Sequence, residues 1–349
     1  MKKQTVLVTI GLFSILAVSF AFVFLNPDVR FGVLQDVGIK NNPVMLDESY
    51  NMYEFAVGIP SPYHLSIIDD DVFFNQRYTG NLFVIKNGEY QEKPILEFSD
   101  ENNRVTIIGI DGHDSFLFVH VMEENDKKEL INTEIHKFLW DGQELDFIEM
   151  INAKTIFTDR HHSGLIISGN NEIFSAFPKE LAIEETNYFE YGIHGFDFDN
   201  ITNNIWHSTE VNWPEMVDDP ALKEKKYESL HVVSSDLKSF HKVWDVPYYP
   251  NSLVIPETSF SNKWENSIFV GYCKGTESRG GVYEYPLNEE RIEFEITNSD
   301  SDLLTVDHSK YQIANNFVCV SDMEINQNGE IFVVDHVSNG AIYKIVPKL

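Results

Sequence analysis

One pattern of apolar and polar positions recurs along this chain. It is plainest in His161-His162-Ser163-Gly164-Leu165-Ile166-Ile167-Ser168-Gly169-Asn170-Asn171-Glu172-Ile173-Phe174-Ser175-Ala176-Phe177: a polar entry, an apolar run, a Gly-Asn-Asn turn and a second apolar run. Two apolar runs around such a turn predict a β-hairpin. The same entry and run recur at Tyr63 to Ile68, Val105 to Ile110, His194 to Phe198, Asn251 to Ile255 and Ser321 to Ile325. Each is followed by a partner run, at Val72 to Phe74, Phe116 to Val119, Ile173-Phe174, Asn204 to Trp206, Ser267 to Val270 and Glu330 to Val334. Turn residues stand between them, as in Asp69-Asp70-Asp71, Gly112-His113-Asp114 and Asn328-Gly329.

In five of these units a third run follows, at Gly80 to Ile85, Glu134 to Leu139, Ser229 to Val233, Gly281 to Tyr285 and Gly340 to Ile345. Antiparallel units of three or four strands, repeated at intervals of roughly 30–70 residues, are the signature of propeller blades. The expected fold is all-β, a six-bladed β-propeller over residues 51–349. Glu123 to Leu130 and Trp213 to Tyr227 read as insertions, the second with a short helix over 220–226. Their charge runs read as solvated surface.

Composition agrees with this reading. The 349 residues are 43% hydrophobic and 13% aromatic, enough for a sizeable core rich in strand-forming side chains. The formal net charge of -29 excludes nucleic acid as a natural partner, because phosphate binding needs clustered Lys and Arg. Met1-Lys2-Lys3 precedes an apolar run from Thr5 to Leu25, long enough for a bilayer core of about 30 Å. Residues 1–25 are therefore expected to be a signal peptide or membrane anchor, with the propeller outside the cytoplasm: at the cell membrane if anchored, secreted if cleaved. Residues 26–50 read as a tether. The two cysteines, Cys273 and Cys319, are either buried thiols or a disulfide that export would permit.

In a hairpin, the start of the first strand and the end of the second lie at one edge. Every blade therefore delivers those positions to one mouth of the central channel. Tyr63, His64, Gln76, Arg77, Arg104, His120, His161, His162, His194, His207, Glu210, Asn251, Lys274, Asp322, Asp335 and His336 fall in this set. The concentration of histidines there suggests a functional face. No short zinc spacing such as His-Glu-x-x-His occurs, and the metal ligands stay unassigned.

Several of these segments, in order, resemble the glucose/sorbosone dehydrogenase-like propellers. Gln76-Arg77-Tyr78-Thr79-Gly80-Asn81-Leu82 is similar to that family's "ER-x-TG" segment, and Arg160 to Gly164 to its "H-x-S/G-G" motif. Gly195 to Asp199 with Ile205 to Glu210 resembles "G-L/F-x-F-D … LW-x-TE", and Ser321 to Val333 with Gly340 to Pro347 resembles the last blade. The resemblance implies oxidation of a sugar-like alcohol with pyrroloquinoline quinone (PQQ) and calcium, with His161 as general base. Lys274 matches a cation that holds the anionic cofactor. Arg104, His162 and His194 are further candidates for that contact.

The sequence also departs from the family. Arg104 stands at a glutamine position, Gly192-Ile193-His194 is too short for an Arg-Asn pair, and Val318-Cys319-Val320-Ser321 replaces two arginines. The alternative is thus a non-catalytic binding or scaffold propeller that has lost the quinone site.

Overall fold

The computed structural model describes residues 42–349 except 128, 159–163, 168–172, 179–191, 212–226, 236–239, 247–248, 257–263, 265, 275–279, 297–306, 337–339 and 349. Two N-terminal strands, β1 (Val44–Met45) and β2 (Tyr50–Ile59), precede the first blade-like sheet, β3 (Pro62–Ile68), β4 (Asp71–Gln76), β5 (Asn81–Lys86), β6 (Glu89–Tyr90) and β7 (Leu96–Glu97). The second is β8 (Arg104–His113), β9 (Phe116–Glu124), β10 (Leu130–Trp140) and β11 (Leu145–Ile151). The third holds β12 (Lys154–Thr158), β13 (Gly164–Ile167) and β14 (Ile173–Pro178), with β12 parallel to β14. The fourth is β15 (Gly192–Asp199), β16 (Asn204–Val211), β17 (Tyr227–Ser234) and β18 (Phe240–Val246). The fifth is β19 (Tyr249–Val254), β20 (Ser267–Lys274), β21 (Gly280–Pro286) and β22 (Gln312–Phe317), extended by β1. The last is β23 (Val320–Ile325), β24 (Ile331–Asp335) and β25 (Gly340–Pro347), with β2 as its outer strand.

The inner strands of these sheets stand side by side: β3 against β8, β8 against β13, β13 against β15, β15 against β19, β19 against β23, and β23 back against β3. This is an all-β propeller. Its ring is closed by strand exchange between the chain's two ends, since β2 pairs antiparallel with β25 from Tyr50–Pro347 to Ile59–Gly340. The sequence reading places residues 26–50 in a tether, yet β1 pairs with β22 and Tyr50 is buried, so the folded part takes in the end of that segment.

The core lies between sheets, which explains the continuous apolar runs. Side chains alternate across a strand, so Phe73 packs toward the second sheet with Ile110 and Leu117, while Phe74 packs toward the last with Phe332 and Val334. Val333 faces the fifth sheet with Phe269 and Phe317, and Val334 faces the first. With both faces buried, strict alternation with polar residues is lost, and each large apolar side chain contributes about 1.5–3 kcal/mol. Where inner strands converge, bulk is excluded. A Cβ on Gly195 would come within 2.8 Å of Asn251 O and Ser252 Cα.

Glu123 to Leu130 is a hairpin rather than an insertion, because β9 runs to Glu124, β10 starts at Leu130, and Asn125 accepts from the backbone of Lys127 and Glu129. The helix expected over 220–226 and the apolar run of residues 5–25 lie outside the described residues.

Candidate functional site

The strand registers bring the expected positions to one edge. Pro62 lies opposite Gln76, Arg104 opposite Glu124, Gly192 opposite Glu210, Tyr249 opposite Lys274 and Val320 opposite Asp335. These pairs ring the mouth. Polar side chains tie several of these sheets to their neighbours. Asn75 accepts from His64 N at 2.7 Å and donates to Ile107 O at 2.9 Å. Ser208 Oγ donates to Pro250 O, Asn251 Nδ2 to Ser321 O, and Ser321 Oγ to Tyr63 O. Buried backbone groups are thus satisfied where the strands splay.

The best-defined cluster lies where the first and last sheets meet. Arg77 Nη1 donates to His336 Nε2 at 2.9 Å, and His336 Nδ1 donates to Pro62 O at 2.8 Å. Those partners fix the neutral tautomer. Burial and then the Arg77 charge push the His336 pKa down to about 4. The Arg77 guanidinium stacks on Tyr63 at 4.8 Å and Tyr78 at 4.5 Å. Beside it, Asp322 accepts from Leu65 N at 2.8 Å and Met323 N at 2.9 Å, with His64 Nδ1 at 3.8 Å.

Below the mouth, carboxylates from alternate sheets come near enough to influence one another. Glu324 feels the charges of Asp111, Asp322 and Asp197, which belong to the second, last and fourth sheets. Burial, followed by those charges, raises the Glu324 pKa well above the ordinary value. Burial likewise raises Asp197 to about 7, against the hydrogen bonds it accepts from Ile255 N and Phe198 N. Asp111, Asp197 and Glu324 were missing from the expected face. The available signal was the acid at alternate positions of the inner strands, Asp322 and Glu324 above all.

The expected residues fare differently. Arg104 opens β8 at the mouth with an exposed guanidinium, 3.4 Å from Tyr78 O and 3.9 Å from Glu124. Lys274 ends β20, and His194 falls in the register irregularity of β15 between Ile193 and Phe196. His161 and His162 lie outside the described residues. His120 and His207 are not on the open face: they are 1% and 0% exposed, His120 bonded to Thr133 Oγ1 and His207 stacked on His231. Burial pushes both down to about 3.

These histidines have a measurable consequence. A histidine whose folded pKa lies below its unfolded value of about 6.5 costs stability as pH falls through that value, because only the unfolded chain takes up the proton. Asp197, with its pKa raised, acts in the opposite direction between about 4 and 7. We expect the stability difference between wild type and His207→Asn to shrink by about 1.4 kcal/mol per pH unit below about pH 6. Urea titrations at pH 7, 5 and 4 check it; a difference independent of pH refutes the assignment.

No family model matches the sequence, and no curated protein matches it. Solved structures do. The soluble aldose sugar dehydrogenase of Escherichia coli, in its apo-form, superposes with a TM-score of 0.54 at 12% identity, over 86% of this chain and 100% of that one. An oxidoreductase (glucose dehydrogenase) from Thermus thermophilus gives 0.53 at 10% identity, over 85% and 100%. A calcium structure of the Trichoderma reesei carbohydrate-active enzyme of family AA12 gives 0.52 at 11%, over 89% and 98%. The fold is a glucose dehydrogenase-like β-propeller.

The mouth of this glucose dehydrogenase-like propeller can be tested against the tricarboxylate cofactor that the resemblance implies. Arg104 presents an exposed guanidinium there, and Arg77 holds a buried Nε without a hydrogen-bond partner among the described residues. Two such cations fit an anionic group. Among the described residues no cluster of three or more His, Cys, Asp or Glu is disposed to hold a metal ion.

Proposed function

We propose that this chain is a six-bladed propeller of the glucose/sorbosone dehydrogenase type that oxidises a sugar-like alcohol at its mouth. The closed circuit of inner strands supports it: six strands meet side by side, and the edge where they start carries Arg77, Arg104, His64 and Asp322. His161, three residues before the start of β13, is the proposed general base. Arg104, Lys274, His162 and His194 are the groups proposed to hold the carboxylates of PQQ, which with calcium would supply the electron acceptor. Residues 1–25 are the proposed anchor or cleaved signal that puts the propeller outside the cytoplasm.

One observation favours a second reading, a binding or scaffold propeller without cofactor. Where the resembling enzymes carry arginines before the last inner strand, Cys319 is locked in a disulfide and presents no charge.

Reconstitution with PQQ and calcium, followed by absorbance spectra and dye-linked oxidation of a sugar panel, separates the two. We expect a bound-cofactor spectrum and sugar oxidation. His161→Ala should lower turnover about 10²–10⁴-fold with the cofactor spectrum unchanged. No spectrum and no oxidation would leave the binding propeller.

A further inference from the structure

The turn between β4 and β5 puts two cations on one exposed ring. Tyr78 is 59% exposed and sits at φ 62°, a left-handed conformation that a bulky residue rarely keeps without a reason. The turn is held firmly: Arg77 N donates to Ser61 O, Thr79 N and Thr79 Oγ1 donate to Gln76 O, and Ile107 N donates to Thr79 O. The guanidinium carbons of Arg77 and Arg104 lie 4.5 and 5.3 Å from the Tyr78 ring centre. Like charges brought onto one side chain repel, and the chain has acids to spare, 55 Asp and Glu against 26 Lys and Arg. Even so, Arg77 forms no ion pair among the described residues, and among them Arg104 has a single long ion pair, with Glu124 at 3.9 Å. A bound anion relieves that repulsion. A carboxylate matches the planar fork of a guanidinium. On the adjoining inner strands, His64 and Asp322 lie 3.8 Å apart, and the Asp322 carboxylate, already accepting from Leu65 N and Met323 N, keeps lone pairs that a hydroxyl can use.

We propose that the mouth selects a sugar acid, a polyhydroxylated ring or chain bearing a carboxylate, with the carboxylate on Arg104 and Arg77 and the hydroxyls toward His64 and Asp322. This names the substrate class of the proposed dehydrogenase site and rests on that reading, with Arg104 reassigned from the cofactor to the substrate and the cofactor left to Lys274, His162 and His194. Tyr78 is a positioning residue that holds the two guanidinium groups.

Calorimetry on the full chain in detergent tests it, with glucuronate, glucose and PQQ titrated separately at low salt. Glucuronate should bind at least about tenfold more tightly than glucose, and Arg104→Gln, an exposed change that leaves the fold intact, should remove that preference. Equal affinity for glucose and glucuronate, no binding of glucuronate, or a preference that survives Arg104→Gln would overturn the proposal. Displacement of glucuronate by stoichiometric PQQ would overturn it too, by giving the arginines to the cofactor. Oxidation of neutral sugars without preference sinks the sugar-acid inference alone. Tight glucuronate binding without any oxidation sinks the dehydrogenase reading and keeps the ligand class.

Discussion

Asp199→Ala lowers the unfolding free energy by about 3–5 kcal/mol. Asp199 ends the inner strand β15 and reaches across to the segment after β21, where Arg291 Nε donates to its Oδ2 at 2.8 Å. Both side chains are almost fully buried, Asp199 at 1% and Arg291 at 2%. The same carboxylate accepts from Thr202 Oγ1 at 2.8 Å and Ile201 N at 3.1 Å. Alanine therefore takes away a counter-charge from a desolvated guanidinium, two further hydrogen bonds of the turn, and a tie between the fourth and fifth sheets. Asp199→Asn keeps the shape and part of the hydrogen bonding, so it should fall between wild type and alanine. The double variant Asp199→Leu with Arg291→Met should recover most of the loss, because apolar pairs of similar volume replace buried ion pairs at little cost. Denaturant midpoints with unchanged slopes would measure all three. A loss under about 1 kcal/mol for Asp199→Ala would show that the pair is solvated.

How far such a structure can be read from sequence depends on the range of the interaction. The inner strands and their partners were legible because each is a local apolar run bounded by turn residues, and β3, β19 and β23 fall within a residue or two of expectation, while β8 runs three residues further, to His113. Closure of the ring was not, since β2 finds β25 at the opposite end of the chain and nothing local marks it as the outer strand of the last sheet. Where each partner strand ends was less legible. His120 pairs with Gly109 in the middle of β9, which runs on to Glu124, so it is buried rather than open to the mouth. His207 likewise pairs with Phe196 in the middle of β16, which runs on to Val211, and stacks on His231 inside the sheet. The mutual influence of Asp111, Asp197 and Glu324 was not legible either, because they come near one another only once the second, fourth and last sheets are set around an axis.

Removing the disulfide should cost about 4 kcal/mol at 25 °C, the loop-closure estimate for its 46-residue span. Cys273 lies near the mouth end of β20 and Cys319 just before β23, so the bond ties the fifth sheet to the last across their inner edges. Both cysteines are buried, which makes alanine the fair replacement: Cys273→Ala with Cys319→Ala removes the link without burying new hydroxyls. Its unfolding midpoint should match that of wild type unfolded in reductant, and a loss below about 1 kcal/mol would mean that the unfolded chain is restrained by other means. The effect should also reach the mouth. Cys319 N donates to Asp335 Oδ1 at 3.0 Å, His336 N donates to Cys319 O at 2.8 Å, and the His336 ring receives Arg77. Freeing this segment loosens the histidine that steadies one of the two cations on Tyr78. The double variant should therefore bind an anion at the mouth more weakly at a temperature where it is still fully folded, while Asp199→Asn, whose carboxylate lies at the far end of β15, should not.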